Sequence, residues 1–300
     1  MIFSTKNIAA SVSNKLLKIS KTSGRGFNEI LVYYGMERFL ARLSQSKFKS
    51  QFVLKGALAL HVLKSDLARA TRDIDFLAFE SNDPEKMKKV IQKICEIQME
   101  DGIVFDLKSI ESTVIKEDAE YEGVRISLTA KLDTAKIPLQ LDIAVGDLMT
   151  PEPLDSKFPM LIEGESFKLK TYPKETVVAE KLQAMVALDI ANSRMKDFFD
   201  IWFLATNFEF EGLLLQKALE TTFFNRKTEI VPLPTALTPI FYQSKQKEVQ
   251  WKAFRGRIGS GSPEALDEVC KVISVFIVPV IEASGAREKF DQNWTGGLWI

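Results

Sequence analysis

Asp73 and Asp75 stand at alternate positions of the apolar run Asp73-Ile-Asp-Phe-Leu-Ala78, and Asp142 lies alone inside a second run, Leu139-Gln-Leu-Asp-Ile-Ala-Val145. Side chains of a strand alternate between faces, so Asp73 and Asp75 project together. Aspartate is depleted in strands, and like charges held close resist burial unless something positive lies between them. A divalent cation meets that need. Three carboxylates on two neighbouring strands make a hard oxygen donor set that suits Mg2+ or Mn2+, and a pair of such ions about 3.5–4 Å apart supports phosphoryl chemistry. The same pattern admits a plainer reading, a strand-edge pair bonded to Arg69 and Arg72.

Two further groups carry chemistry. Lys55-Gly56-Ala57 joins a predicted strand to a predicted helix. A glycine there lets backbone N–H groups approach phosphate oxygens at a helix start, although most glycines at such turns are only turns. Downstream, Lys181 follows Glu180 on a predicted helix, about 100° around it, so the two cannot share one apolar face. Asp197 and Asp200 are three apart on the next helix and share a face. They suit either the holding of a substrate-facing lysine or a solvated salt-bridge network with Arg194, and the residues alone leave both open.

The elements that must position these side chains follow from periodicity. Residues 27–46 repeat apolar positions at helical spacing. Gln51–Leu54 reads as a strand, Ala57–Lys64 as a short helix, Asp73–Phe79 as a strand, and Asp83–Ile97 as a helix opened by Asn-Asp-Pro. Val104–Ile110, Gly123–Lys131 and Pro138–Val145 read as strands. The middle one alternates cleanly, with Arg125, Ser127, Thr129 and Lys131 on its wet face. Met149–Pro159 holds three prolines and reads as a loop. Ser166–Lys170 is one more strand. From Tyr172 the pattern is helical: Lys174–Ile190, Arg194–Asn207, Glu211–Thr222 and a long helix from Ser262 to Ala283. Strands crowd the first half and helices the second, which predicts an α+β fold with a sheet domain over 1–172 and a mainly helical domain over 173–300.

Composition narrows the chemistry. Across 300 residues, 40 basic side chains balance 40 acidic ones, so no global field marks a nucleic-acid or membrane partner. Cys95, Cys270 and the single His61 exclude a Cys/His zinc cluster. Catalysis must run on carboxylates, lysine, arginine and metal. No apolar run reaches about 18 residues, and Val272–Ile281 is short and carries Pro279, which predicts a cytoplasmic protein with no membrane partner. His61 reads as a packing residue.

The order strand, glycine turn, helix, Asp-x-Asp and later lone Asp resembles the DNA polymerase β-type nucleotidyltransferases. The fuller pattern, Phe52-Val-Leu-Lys-Gly-Ala-Leu-Ala-Leu60 then Arg69-x-Thr71-x-Asp73-Ile-Asp75-Phe76, is similar to the AbiEii/AbiGii toxins of type IV toxin–antitoxin systems. Val178-Ala-Glu-Lys-Leu-Gln-Ala184 and Arg194-Met-Lys-Asp-Phe-Phe-Asp-Ile201 extend the likeness, which runs from about Phe27 to Leu204.

This resemblance implies a polymerase β-like mixed sheet with flanking helices and an Mg2+- or Mn2+-dependent enzyme using an NTP. It implies metal ligation by Asp73, Asp75 and Asp142, with Asp142 also taking the attacking hydroxyl's proton. Lys181 would meet nucleotide phosphates, and Asp197, with Asp200, would complete the site. Lys55, Gly56, Ala57, Arg69 and Thr71 would surround the nucleotide. The acceptor would be RNA, with the tRNA 3′ end foremost, and a cognate antitoxin from the neighbouring gene would restrain the toxin within phage defence.

One departure stands out: relatives often carry Gly-Gly or Gly-Ser at the turn where this chain has Gly56-Ala57. A candidate RNA surface is Trp251-Lys-Ala-Phe-Arg-Gly-Arg257, which mixes rings and cations ahead of the loop 258–262, with Arg226, Lys227, Lys245 and Lys247 nearby in sequence. An amphipathic helix end explains the same run. Transfer to a small molecule or a protein side chain, and a non-catalytic nucleotide- or partner-binding relative, are the competing functions.

Overall fold

A computed structural model describes residues 5–64, 71–79, 82–118, 121–164, 166–258 and 261–300. The chain forms two compact units, Met1–Gly146 with Pro153–Thr171, and Asp147–Glu152 with Tyr172–Ile300.

The first unit opens with helices α1 (Thr5–Ser23) and α2 (Phe27–Gln45), then strand β1 (Phe52–Lys55), helix α3 (Gly56–Leu63) and strand β2 (Asp73–Ala78). Helix α4 (Pro84–Cys95) follows, then β3 (Ile103–Asp118), β4 (Tyr121–Leu132), β5 (Ala135–Val145), β6 (Leu154–Lys157) and β7 (Lys168–Thr171). Among the described residues, seven strands form one sheet in the order β3-β4-β5-β2-β1-β7-β6. The pairs β2–β5 and β1–β7 are parallel and the other four antiparallel, so the fold is a mixed α+β sheet.

The reasons are local. Asp83 caps α4 by accepting from the N–H groups of Glu85 and Lys86, with Pro84 pre-set at the first helical position. On the central strands, Ile74, Leu141 and Ile126 align in one buried row and Phe76, Ile143 and Val124 in the next. That apolar face belongs to the core. Helix α2 presses on β5 through Gly35, where an added Cβ would come 3.0 Å from Ile137 Cγ2. Buried Arg42 on α2 grips Asp101 through Nη1 at 2.7 Å and Nη2 at 3.1 Å, and stacks over the Phe105 ring. A fork on a carboxylate is the geometry in which a buried arginine is best satisfied.

The second unit comprises α5 (Lys174–Leu188), α6 (Met195–Asn207), β8 (Phe210–Glu211), α7 (Gly212–Asn225), α8 (Pro239–Tyr242), α9 (Lys245–Ile258), α10 (Leu266–Ala286), β9 (Asn293–Thr295) and β10 (Leu298–Trp299). It is mainly helical, with a small sheet of order β10-β9-β8. Helix α10 is 21 residues long, enough by length and composition to cross a bilayer. Here it serves as a core helix. Val269, Ile273, Phe276, Ile277 and Val280 are buried, and Phe276 lies 4.9 Å from both Phe210 and Trp294, ring to ring. Trp294 Nε1 donates to Ala205 O at 2.7 Å and Trp299 Nε1 to Phe276 O at 2.9 Å, which ties the C-terminal strands onto the helices.

Cys95 and Cys270 are both free thiols, one in each unit, and both buried. Burial pushes the Cys95 thiol up to about 12, which makes it a packing group and not a nucleophile.

Several elements extend beyond the sequence-based expectation. β3 and β4 run past 104–110 and 123–131 to form a long hairpin. β6 lies inside the three-proline segment, paired antiparallel with β7.

Candidate functional site

Register puts the charged residues of the sheet into one row. Lys55 on β1 is opposite Asp75 on β2, Asp75 is opposite Asp142 on β5, and Asp142 is opposite Arg125 on β4. Directly opposed residues share a face. Four neighbouring strands thus present cation, carboxylate, carboxylate, cation side by side, with Asp73 two residues along β2 on the same face. This face is the reverse of the apolar one, and the period-2 alternation of β2 and β5 is what divides them.

Asp73, Asp75 and Asp142 each offer one oxygen, and the three lie within 4.8 Å of one another. Like charges at that spacing repel by about 3–4 kcal/mol per pair at an effective dielectric near 20. Side chains and backbone already pin two of them. Thr71 Oγ1 donates to Asp73 Oδ1 at 2.7 Å, and the Arg72 N–H donates to the same oxygen at 3.2 Å. Arg125 grips Asp142 with Nε on Oδ1 and Nη2 on Oδ2, both at 2.8 Å, and Gln140 Nε2 donates to Oδ2 at 3.2 Å. Three oxygens fixed this close are a donor set that fits Mg2+ or Mn2+.

Gly56 explains the turn before this row. It begins α3 with φ of 68°, in the left-handed region, and an ideal Cβ built on it would fall 1.9 Å from Asp75 Oδ2. The Asp75 carboxylate therefore rests against the first residue of a helix, where the backbone dipole favours an anion. Only glycine supplies both the backbone conformation and the room. Gly56→Ala should cost about 1–2 kcal/mol of stability from backbone strain. The new methyl also displaces the carboxylate by an ångström or more, so activity should fall about 100-fold. Chemical denaturation and steady-state rates on the purified variant check both numbers.

The structure describes Lys55 and Ala57 as buried residues flanking that glycine, and places Thr71 on the Asp73 carboxylate. Arg69 lies outside the described residues. His61 is buried with its ring edge-on to Tyr33 at 5.3 Å and to Phe158 at 6.1 Å, as a packing residue.

Lys181, Asp197 and Asp200 lie in the second unit, on α5 and α6, and form one ion cluster. Lys181 Nζ is 2.9 Å from Asp197 Oδ1 and 2.7 Å from Asp200 Oδ2, and Arg194 Nε is 2.6 Å from Asp197 Oδ2. Both carboxylates are fully buried. The solvated network open in the sequence is therefore replaced by a buried one. Beside it, Arg226 holds Asp147 through Nη2 at 3.1 Å, donates Nη1 to Gln183 Oε1 at 3.0 Å, and lies 3.6 Å from Glu180. Burial, with Glu180 and Asp147 nearby, pushes the Tyr172 phenol well above its usual range.

Two sequence candidates change character. Trp251 and Phe254 are buried, 5.5 Å apart, and Phe254 also packs on Phe199, so they are core rings and no stacking platform for bases. Lys247 is buried too, donating Nζ to Asn192 O at 2.6 Å. Lys245, Lys252 and Arg257 stay exposed on the outer side of α9. Positions 259–260 of the following loop lie outside the described residues. Conversely, the sequence reading passed over Arg125 as one of several polar residues on a wet strand face. Its partner emerges only from the β4–β5 register.

Residues 38–272 match the family model for the nucleotidyl transferase AbiEii toxin of type IV toxin–antitoxin systems. No curated protein sequence matches significantly. Two solved structures from Helicobacter pylori are similar. One, described provisionally as a nucleotidyltransferase, is 17% identical with a TM-score of 0.49, covering 85% of this chain and 95% of its own. The other, JHP933, is 18% identical with a TM-score of 0.47, covering 84% and 92%.

Proposed function

Because this chain belongs to the AbiEii nucleotidyltransferase toxin family of type IV toxin–antitoxin systems, we propose that it transfers nucleotides from an NTP to RNA, with the tRNA 3′ end as acceptor, in an Mg2+- or Mn2+-dependent reaction. The observation that carries this reading is the carboxylate trio, three oxygens within 4.8 Å on adjacent strands. An acceptor hydroxyl attacks the α-phosphorus, a new P–O bond forms, and the bond to the leaving pyrophosphate breaks.

Asp73, Asp75 and Asp142 would hold a divalent cation, which when bound supplies positive charge to the phosphates and eases loss of the hydroxyl proton. Thr71 and Gln140 keep two of these carboxylates in fixed rotamers, so little reorganisation is left for the reaction itself. Asp142 accepts the proton. Gly56 and Ala57, at the start of α3, present backbone N–H groups to phosphate, with Lys55 and Thr71 as further nucleotide-binding candidates, and Arg69 is proposed for the same role from the sequence motif alone. In the second unit, Lys181 is assigned to phosphate as a point charge, and Asp197 and Asp200 orient it.

The family implies a cognate antitoxin as partner. The exposed cations Lys245, Lys252 and Arg257 of α9 support an RNA acceptor. The cytoplasm, where NTP and tRNA meet, is the proposed compartment. The test is incubation with total tRNA, Mg2+ and each of the four labelled NTPs. Label on tRNA names the nucleotide in one step. Label on a protein or small molecule, with none on RNA, overturns the acceptor.

A further inference from the structure

We propose that Arg125 is a gate on the cation site, competing with the divalent ion for Asp142. The inference rests on the reading of Asp73, Asp75 and Asp142 as ligands, and it deepens that reading by assigning control of the site to a fourth strand.

The argument is one of available lone pairs. An ionised carboxylate has about four acceptor positions. Arg125 takes one on each oxygen of Asp142 at 2.8 Å, and Gln140 takes another on Oδ2 at 3.2 Å. One position is left, on Oδ1. Ligation through both oxygens, or through Oδ2, therefore requires the guanidinium or the Gln140 amide to withdraw, and if the amide leaves the guanidinium stays beside the cation. Ligation at the remaining Oδ1 position sets a divalent cation beside a fixed positive charge, which repels it. Either way Arg125 lowers affinity.

Withdrawal is feasible because the two partners differ in burial. The Asp142 side chain is 9% exposed and anchored, whereas the Arg125 side chain is 40% exposed and can swing outward from β4. Gln140 keeps Asp142 oriented once the guanidinium has left. At the other end of the row, Lys55 is buried beside Asp75 and has no such exit. The two flanking cations thus do different work: Lys55 compensates the carboxylates permanently, and Arg125 does so until a cation arrives.

The experiment is a Mn2+ titration followed by electron paramagnetic resonance of the unbound ion, with no nucleotide present. Breaking a charge-assisted fork opposes binding in wild type, so Arg125→Met should bind Mn2+ about tenfold more tightly. Arg125→Lys keeps the charge but can hold only one oxygen, and should bind about threefold more tightly. It also guards against poor folding of the methionine variant. Equal or weaker Mn2+ binding in the folded variants overturns the gate while wild-type binding, abolished in Asp75→Asn, still upholds the cation site. Absence of Mn2+ binding from wild type and variants alike overturns the cation site and the gate with it.

Discussion

Lys181→Met should lower the stability of the second unit by about 3–5 kcal/mol, the cost of removing one partner from a buried ion cluster. Asp197 and Asp200 are both fully buried, and Lys181 sits within 3 Å of an oxygen on each. Arg194 still serves Asp197 in the variant. The double variant Lys181→Met/Asp200→Asn should recover part of the loss, because it removes a buried charge along with its counter-ion. All four tryptophans, Trp202, Trp251, Trp294 and Trp299, belong to the second unit, so urea unfolding followed by tryptophan fluorescence reads this unit by itself. Catalysis separates a second role from the structural one. A double variant that is folded yet inactive shows that the Lys181–Asp200 pair also serves the substrate, whereas restored activity confines it to packing.

Asp75→Asn should reduce nucleotidyl transfer by about three orders of magnitude or more, since it removes charge from the centre of the charged row while keeping the shape of the side chain. Stability should move the other way. Three carboxylates within 4.8 Å strain one another, so in EDTA the thermal midpoint of the variant should equal or exceed that of wild type. Wild type should gain stability from Mg2+ by mass action, and the variant should lose that gain. A large drop in the EDTA midpoint would instead make Asp75 a structural residue of the β1–β2 pair.

The carboxylate grouping was legible where composition opposed the local pattern. Aspartates inside Asp73–Ala78 and Leu139–Val145 contradict strand propensity, and the alternation around them fixes which face they share. What register decides was not legible. Arg125 looks in sequence like Ser127, Thr129 and Lys131, a polar residue on a wet face, and only pairing with β5 puts it on Asp142.

Burial was left open where rings and cations mix. Trp251 and Phe254 are three apart on α9 and turn inward together, while Lys252 and Arg257 turn out. The alternating signs of a helix and those of a nucleic-acid surface look alike until the neighbouring Phe199 is known. The two- and three-residue strands β8, β9 and β10 are too short for any periodicity to show.

The charged row on β1, β2, β5 and β4 is the proposed seat of metal-dependent nucleotidyl transfer. Its most direct test is to supply RNA with NTP labelled at the α-phosphate or at the γ-phosphate, with Mg2+ or with EDTA, for wild type and Asp75→Asn. The α-label should appear on RNA from wild type with Mg2+ alone, with the γ-label released as pyrophosphate. Label that persists in EDTA or in Asp75→Asn, or that travels with the γ-phosphate, would contradict it.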